Sequence, residues 1–306
     1  MNDELITQSD SQFEILGDGL LVRAPAKINL SLLVDGKRPD GFHEIETIMA
    51  KVDFFDELLI QEGKKTGIDL ICSGPNWAPE GKENLVYQAC QLLLDFCCTP
   101  ADVKITLTKN IPAGSGLGSA SSDAAATLLG LNRFLKVNVT KTKLHSLAAQ
   151  LGSDVAFFLN KPLAFCTGKG EKIKKIDKNF DFLALLILPN VSVSTKRVYD
   201  NYQPNQSLYE TFSTQIRGHL AENRVDLAAK MCANMLETSC FKLYQELAEL
   251  KAKIQSLDIV PLSLTGSGSA MFVLIDRLQE AQSREYKNKL DKMTGCRSVI
   301  VRNCRW

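Results

Sequence analysis

The chain has 306 residues, of which 45% are hydrophobic, and its 36 Lys and Arg residues against 35 Asp and Glu residues leave a net charge of +1. This length and composition suffice for two packed domains, and the near-neutral charge gives no general attraction to nucleic acid or to a membrane surface. The longest purely apolar run, residues 182–188, is too short to cross a bilayer.

The first nineteen residues contain five acidic side chains and no basic one, which is unlike a secretory signal or a transit peptide. We expect residues 1–19 to form a poorly ordered acidic extension ahead of the first strand. The nine cysteines include no Cys-x-x-Cys pair, and the three histidines lie far apart in the chain. This pattern favours reduced thiols in a cytoplasmic protein over disulfides or a zinc site.

Residues 20–34 predict one strand, or two strands interrupted at Pro25. Because side chains alternate along a strand, Lys27 and Asn29 share one face, which is either solvated or part of a site. After a turn rich in Gly and Pro, Phe42 and His43 precede a second strand predicted over residues 45–51. His43 is either structural or, together with Phe42, part of a pocket for a planar ligand.

A helix, a strand and two further helices are predicted over residues 84–96, 103–108, 124–135 and 140–151. Asn84 and Thr140 are suitable N-caps for the first and last of these helices. Asp154 follows the last helix among apolar neighbours, where a carboxylate needs partners. It either caps the next element or acts as a catalytic acid or base.

The second half of the chain is predicted to be richer in helices. A continuous apolar strand at residues 182–188 is followed by helical patterns over residues 227–236, 241–257 and 278–290 and by a last strand at residues 298–301. A second glycine- and serine-rich loop joins two strands within residues 262–274. Strands interleaved with helices in both halves predict two α+β domains, residues 20–175 and 176–306.

The first glycine-rich loop, residues 111–123, leads from a strand into a helix and carries three glycines within five residues. Glycines let backbone N–H groups approach a ligand, and the helix start adds unpaired donors and partial positive charge. The loop is therefore either a polyphosphate site or a tight turn with a serine N-cap. A Walker loop is excluded because no Lys follows the glycines, and a dinucleotide fingerprint is excluded because Ser119 replaces its third glycine.

Three segments together resemble the GHMP kinase superfamily, and within it the 4-diphosphocytidyl-2-C-methylerythritol kinase family. The segments are residues 24–30 with 40–44, residues 111–122 and residues 264–269, with shorter matches at residues 83–86, 151–155 and 168–171. The combination of Ala-Lys-x-Asn with Asp-Gly-aromatic-His is specific to this kinase family, whereas the glycine loop marks the superfamily. The resemblance covers the chain from about Ala24 to its C-terminus.

The resemblance implies a two-domain α+β fold: an N-terminal ATP-binding domain with a left-handed β-α-β element, a C-terminal ferredoxin-like domain, and an active site in the cleft between them. It implies ATP-dependent phosphorylation of the 2-hydroxyl of 4-diphosphocytidyl-2-C-methylerythritol in non-mevalonate isoprenoid biosynthesis. Mg²⁺ would accompany ATP, with its protein ligands unknown. The expected partner is a small molecule with a cytidine diphosphate group, and the expected state is a monomer or weak homodimer.

The resemblance also implies roles for individual residues. Asp154 and Lys27 would be catalytic: the carboxylate accepts the hydroxyl proton, and the lysine orients it and offsets phosphoryl charge. The implied ATP-binding residues are Asn84, Lys109, Pro112, Ala113, Gly114, Ser115, Gly116, Leu117, Gly118, Ser119, Ala120, Ser121 and Ser122. The implied substrate-binding residues are Asn29, Phe42, His43, Thr195, Tyr199, Gly266, Ser267 and Gly268. Among these, Phe42 and Tyr199 would sandwich the cytosine ring and His43 would bond its edge.

The sequence departs from the family pattern where Phe42 replaces the more usual Tyr and where Met49 stands at a position that is commonly aromatic. Two other interpretations remain open at this point. A homoserine or mevalonate-type kinase would not need the Phe42-His43 pair. A non-catalytic nucleotide- or RNA-binding protein would need neither Lys27 nor Asp154.

Overall fold

The first half of the chain forms a mixed sheet that is dominated by two very long strands. The computed structural model describes residues 11–177 and 180–306. The first sheet has seven strands in the described residues: β1 Phe13–Leu16, β2 Gly19–Lys37, β3 His43–Glu62, β4 Ile68–Ser73, β5 Val103–Thr108, β6 Leu163–Gly168 and β7 Lys172–Lys175. The order is β1-β2-β3-β5-β4, and the other end of β3 pairs with β6, which pairs with β7.

Four helices cover one face of this sheet: α1 Leu85–Cys97, α2 Ser119–Phe134, α3 Lys141–Leu151 and α4 Val155–Phe158. Their apolar residues join those of β2, β3 and β5 in one core. The unit β4–α1–β5 is the parallel part of the sheet, as expected for a helical crossover. Asn84 caps α1 by accepting from the Val86 N–H at 2.9 Å, and Thr140 accepts from the Lys143 N–H at the start of α3, so both predicted N-caps are confirmed.

The second half forms a smaller antiparallel sheet of β8 Leu183–Leu188, β9 Leu262–Leu264, β10 Met271–Ile275 and β11 Arg297–Arg302. Its helices are α5 Thr195–Asp200, α6 Gln206–Ala221, α7 Val225–Lys230, α8 Glu237–Leu243, α9 Gln245–Gln255 and α10 Glu280–Thr294. The order β11-β8-β10-β9 is the ferredoxin-like arrangement that the sequence led us to expect. Strand β8 is central and buried throughout, which explains its continuous apolar sequence.

The two sheets are joined through a shared core and through polar contacts. Residues of β2 and β3 pack with residues of β8, α6 and α7. The Leu32 N–H donates to the Ala233 carbonyl at 2.7 Å, and the Met235 N–H donates to the Leu32 carbonyl at 2.9 Å. The predicted α+β fold of two parts is confirmed. The boundary near residue 175 stays a prediction, although the last strand of the first sheet ends at Lys175 and the second sheet starts at Leu183.

Several predicted elements differ in extent from the structure. Strand β2 continues through Pro25, where a register shift of the pairing with β3 absorbs the proline. Strand β3 continues to Glu62 rather than ending at Lys51, because its second part pairs with β5. The helix predicted over residues 241–257 is two helices that meet at Tyr244, and the one predicted over 227–236 is the shorter α7. Helix α6 was not predicted.

The acidic extension predicted over residues 1–19 is partly wrong. Phe13–Leu16 forms β1 and pairs antiparallel with the start of β2 across the two-residue turn Gly17-Asp18. Gly17 has φ +60, which suits a tight hairpin turn. The Gly-Asp dipeptide at residues 17–18 is a hairpin signal in the sequence. Residues 1–10 of the predicted extension lie outside the described residues. No helix in the described ranges is long and apolar enough to cross a membrane.

Candidate active site

A cavity of about 830 Å³ is lined by residues of both halves of the chain. It collects most of the residues that the sequence singled out. They are Lys27, Asn29, Phe42, His43, Asn84, Lys109, Pro112, Ala113, Gly114, Ser115, Gly116, Gly118, Ser119, Ala120, Ser121, Asp154, Thr195, Tyr199, Gly266 and Ser267. Residues more than 200 positions apart in the chain therefore meet at one site.

Three residues of the predicted set, Leu117, Ser122 and Gly268, are not among the residues that line the cavity. Leu117 points into the core, while its carbonyl accepts from the Lys27 N–H at 2.9 Å. The Ser122 hydroxyl is buried and has no hydrogen-bond partner in the described residues. A Cβ on Gly268 would lie 3.0 Å from the Cys240 sulfur. Leu117 and Gly268 thus support the cavity wall through their backbone.

The first glycine loop runs between β5 and α2, and its conformation depends on close backbone packing. Gly116 and Gly118 have φ +78 and +73, a region that favours glycine. A Cβ on Gly116 would lie 2.2 Å from the Thr265 carbonyl oxygen, and one on Gly118 would lie 3.0 Å from Lys27 Cγ. The loop then enters α2, whose first N–H groups are free to bind an anion from the cavity.

The second glycine loop, residues 265–270, holds the first one in place. The Ala270 N–H donates to the Ser115 carbonyl at 3.0 Å. Asn234 Nδ2 donates to the Leu264 and Gly266 carbonyls at 2.8 and 2.9 Å. The two loops therefore form one continuous backbone surface at the edge of the cavity, to which both halves of the chain contribute.

Lys27 and Asn29 lie on a buried part of β2, so the solvated alternative for this strand face is wrong. Their exposed fractions are 4% and 5%. Lys27 Nζ donates to Asn29 Oδ1, and Asn29 Nδ2 donates to Thr47 Oγ1 at 2.8 Å. Burial lowers the pKa of Lys27, while the negative charge of nearby Asp154 acts in the opposite direction.

Asp154 precedes α4 and makes no side-chain capping bond to it. Its carboxylate interacts electrostatically with Lys27 and lines the same cavity. A Cβ on Gly170, in the turn between β6 and β7, would come within 3.8 Å of Asp154 Oδ1. Of the two alternatives left open by the sequence, the capping role is thus not observed.

Lys109 is the centre of a buried charged cluster at the base of the first glycine loop. Its Nζ donates to Asp56 Oδ2 at 2.5 Å, to Asp123 Oδ2 at 2.6 Å and to the Ser119 hydroxyl. Asp56 is fully buried, and its Oδ1 accepts from the N–H groups of Asn110 and Ile111 at 2.6 and 2.8 Å. Its Oδ2 also accepts from the Ser119 hydroxyl at 2.8 Å, so Asp56 connects β3 to both ends of the glycine loop.

The cluster has one amine and two carboxyl groups, and both carboxyl groups accept from the amine. Burial lowers the pKa of Lys109, but the charges of Asp123 and Asp56 outweigh this effect and raise it. Burial raises the pKa of Asp123 to about 8, against the attraction of Lys109. Asp123 Oδ1 has no hydrogen-bond partner in the described residues, whereas Asp56 accepts bonds on both oxygens. Burial therefore favours the neutral form of the Asp123 carboxyl group.

Aromatic side chains gather at the part of the cavity next to β3 and α5. The His43 and Tyr199 rings lie 5.3 Å apart between centroids, at an interplanar angle of 37°. Burial lowers the pKa of His43, with a smaller contribution from the charge of Lys37. Phe42 is 51% exposed and has Lys169 Nζ 4.4 Å from its ring centroid. The Thr195 and Ser267 hydroxyls are 2.8 Å apart, so α5 and the second glycine loop meet here.

Sequence reasoning missed several residues at or next to this site, among them Asp56, Asp123, Lys169 and Trp77. Asp56 and Asp123 become candidates only when β3 packs against α2 in the folded chain. The sequence pattern of either element alone does not indicate which side chain its carboxylate bonds. Lys169 and Trp77 lie in loops of the chain, near Gly and Pro residues. Nothing in their spacing indicates that they line the cavity.

Both halves of the chain match known domain families. Residues 84–161 match the N-terminal domain of GHMP kinases, and residues 216–289 match the C-terminal domain of GHMP kinases. The match to the N-terminal domain includes the glycine loop and Asp154. The fold is therefore that of a GHMP kinase.

Similar curated proteins include the 4-diphosphocytidyl-2-C-methyl-D-erythritol kinases of Bacillus pumilus and of a Geobacillus strain. They are 37% and 38% identical over 263 and 258 residues, which cover 86% and 84% of this chain and 90% and 88% of the relatives. A crystal structure of 4-(cytidine 5'-diphospho)-2C-methyl-D-erythritol kinase matches with a TM-score of 0.73 at 31% identity, covering 93% of this chain and 99% of that one. The chain belongs to the 4-diphosphocytidyl-2-C-methyl-D-erythritol kinase family, and it is a kinase that uses ATP.

The fold is shared more widely than this family. A homoserine kinase structure from Cytophaga hutchinsonii matches with a TM-score of 0.72 at 20% identity, covering 96% of this chain and 98% of that one. At this level of identity the likeness concerns the fold alone.

Proposed function

We propose that this chain transfers the γ-phosphoryl group of ATP to the 2-hydroxyl of 4-diphosphocytidyl-2-C-methyl-D-erythritol. The products are the 2-phosphate and ADP, and the step belongs to non-mevalonate isoprenoid precursor biosynthesis. The observation that carries the proposal is that Lys27 and Asp154 share one cavity with the glycine loop and with the Phe42-His43 pair. The family relationship supports the same substrate, since the curated relatives carry that name.

In the proposed mechanism, the triphosphate lies against the loop of residues 112–121 and the start of α2. Backbone N–H groups and serine hydroxyls there bind phosphate oxygens. Asp154 accepts the proton of the attacking hydroxyl as the new P–O bond forms and the bond to the ADP oxygen breaks. Lys27, fixed by Asn29, keeps the carboxylate oriented and offsets the charge on the transferred group.

The substrate is proposed to bind with its cytosine between Phe42 and Tyr199 and with the ring edge on His43. Two aromatic rings can each stack on a planar base. Neutral His43 can both donate and accept a hydrogen bond, and burial favours that neutral form. Asn29, Thr195 and the second glycine loop, with Gly266, Ser267 and Gly268, would surround the methylerythritol and phosphate part.

Mg²⁺ is proposed to accompany ATP. The described residues contain no group of three or more His, Cys, Asp or Glu side chains arranged for a metal ion. The serine hydroxyls of the first glycine loop and the Asp154 carboxylate line the cavity, which fits a hard cation held mainly by phosphate oxygens and not one held in a protein cage. When bound, the ion would neutralise charge on the phosphate oxygens.

We infer that the protein works in the cytoplasm as a monomer or weak homodimer. The buried thiols of Cys90, Cys166 and Cys240 are free, which supports a reducing compartment.

The test is ADP release from Mg-ATP with 4-diphosphocytidyl-methylerythritol, homoserine and mevalonate as separate acceptors. We expect turnover with the cytidine substrate alone and a loss of about 10²-fold or more in Asp154→Asn, with ATP binding retained. Asp95→Asn, an exposed carboxylate on α1, is the matched control and should keep full activity. Turnover with another alcohol would contradict the proposed cytosine pocket. A fully active Asp154→Asn variant would contradict the proposed role of Asp154 as the base.

A further inference from the structure

Lys51 is a buried cation to which the mechanism proposed above assigns no task. It lies on β3, and its exposed fraction is 2%. Burial lowers the pKa of Lys51 to about 8, while nearby Cys304 acts in the opposite direction. Burying an ammonium group costs free energy unless hydrogen bonds replace those it made with water. The hydrogen-bond partners of Lys51 therefore indicate what the chain gains from a cation at this position.

Those partners lie at the end of the one-turn helix α4. Lys51 Nζ donates to the carbonyl oxygens of Phe158 and Asn160 at 2.9 and 2.8 Å. The Lys51 N–H also donates to the Pro162 carbonyl at 2.8 Å. A cation is favourable beside carbonyl oxygens that end a helix, because these have no partner within the helix. Lys51 thus fastens the end of α4 and the turn that follows it to β3.

Residues 303–306 of the second half close over Lys51. The Cys304 N–H donates to the Lys51 carbonyl at 3.0 Å, and Lys51 Nζ is 6.0 Å from the centroid of the Trp306 ring. Trp306 in turn stacks on Phe55, with ring centroids 5.6 Å apart. Because water is excluded here, the two carbonyl groups at the end of α4 would lose hydrogen bonds that nothing nearby replaces if Lys51 were removed.

Helix α4 has Asp154 at its other end. The Asp154 carbonyl accepts from the Phe157 N–H at 3.2 Å, while its side chain makes no capping bond. A single helical turn is not stable by itself, so its position depends on its anchors. A Cβ on Gly118 would lie 2.9 Å from Phe158 Cζ and 3.0 Å from Lys27 Cγ, which places the Phe158 ring close to Lys27. A shift of α4 would therefore change the geometry between Asp154 and Lys27.

We propose that Lys51 is a positioning residue for Asp154: by holding the end of α4 against β3, it fixes where the Asp154 carboxylate meets the acceptor hydroxyl. The inference rests on the proposed role of Asp154 as the base. Lys51 is not among the residues that line the cavity, so we expect it to contact neither ATP nor the acceptor. Since a small displacement of a reacting group can cost about 10²-fold in rate, the effect belongs to kcat and not to binding.

The test compares Lys51→Met with Lys51→Gln, whose side chains have the same length and differ in their N–H donors. Per folded protein, we expect Lys51→Met to lower kcat by about 10- to 10²-fold. The KM for the cytidine substrate and the Kd for ADP, measured by calorimetry, should change by less than about twofold. Lys51→Gln should keep more of kcat than Lys51→Met, and it carries the comparison if Lys51→Met does not fold.

Two control variants separate this effect from the loss of a lysine and from a loss of stability. Lys174→Met removes an exposed lysine of β7, and Leu247→Ala makes a cavity in the core of the second half. Both should keep the wild-type kcat per folded protein, with the folded fraction measured by near-ultraviolet circular dichroism.

A double-mutant cycle separates positioning of Asp154 from general support of the fold. If Lys51 acts through Asp154, adding Lys51→Met to Asp154→Asn should lower kcat by less than about twofold more, because the carboxylate it positions is already absent. A full further loss in the double variant would overturn the inference, as would a wild-type kcat in Lys51→Met. A loss of ADP affinity as large as the loss in kcat would also overturn it, because Lys51 would then support the glycine loop.

Failure of the proposed function has a different signature. A wild-type protein without turnover of the cytidine substrate, or a fully active Asp154→Asn, would remove the base, and the inference would fail with it. A loss of kcat in Asp154→Asn together with a wild-type kcat in Lys51→Met would leave the proposed function standing and reject the positioning role alone.

Discussion

His43 is the side chain that, in the proposed function, distinguishes the cytidine substrate from other alcohols. Its ring lies against Tyr199 and lines the cavity next to Phe42. An acceptor without a base would give a histidine at this place no ring edge to bond. A substitution of His43 therefore probes recognition of the substrate and not the phosphoryl-transfer step.

We predict that His43→Ala raises the KM for the cytidine substrate and leaves kcat nearly unchanged. The variant loses one hydrogen bond and part of a ring contact, about 1–3 kcal/mol, which corresponds to roughly 5- to 150-fold in KM. Steady-state kinetics at fixed ATP measures the effect. His145→Ala, on α3 and not among the cavity-lining residues, is the control, and an unchanged KM in His43→Ala would place the cytosine elsewhere.

Helix α2 carries a buried acidic side chain, Asp123, whose pKa is raised by burial. Asp123 lies in the second turn of α2, and burial raises its pKa to about 8, well above the value of about 3.9 for an unfolded chain. Between pH 5 and 8 the folded protein therefore holds a proton that the unfolded chain has released. Stability falls as the pH rises through this range, with a slope of up to about 1.4 kcal/mol per pH unit.

We predict that Asp123→Asn flattens this pH dependence, because the variant has no proton to hold at that position. The measurement is the free energy of unfolding in urea at several pH values from 5 to 8. Asp95→Asn, exposed on α1, should retain the wild-type slope. Equal slopes in Asp123→Asn and the wild type would mean that Asp123 is not the group responsible for the pH dependence of stability.

The elements also show how far sequence alone can predict this site. The strand-loop-helix at residues 103–134 was predictable because its signals are local: alternation in β5, glycines in the loop and small residues in α2. The role of Asp56 was not, since it bonds the N–H groups of Asn110 and Ile111, more than 50 positions away. That contact depends on the second part of β3, which pairs with β5 only in the assembled sheet.

Across the whole molecule, Glu46 ties the first sheet to α6 of the second half. This buried carboxylate of β3 accepts from Tyr209 and Ser213, both at 2.9 Å, and pairs with Arg217 at 2.5 Å. A buried charge with several hydrogen bonds is costly to disturb, because its partners lose an acceptor. The cavity depends on the relative position of the two halves that this cluster helps to fix.

We predict that Glu46→Gln lowers the free energy of unfolding by about 1–3 kcal/mol, measured by urea denaturation. Glu62→Gln, at the exposed end of the same strand, should change it by less than about 0.5 kcal/mol. A Glu46→Gln variant as stable as Glu62→Gln would show that the cluster does not contribute to joining the halves.

The contact between Gly116 and the Thr265 carbonyl has a consequence for how such a protein can change. A Cβ at Gly116 would come within 2.2 Å of that oxygen, so two backbones touch with no side chain between them to adapt. A chimaera that took residues 112–118 from one parent and residues 264–270 from another would combine two loop backbones that had not been selected to fit each other at this contact. The two loops are therefore expected to be inherited as one unit, although they lie at distant points of the gene.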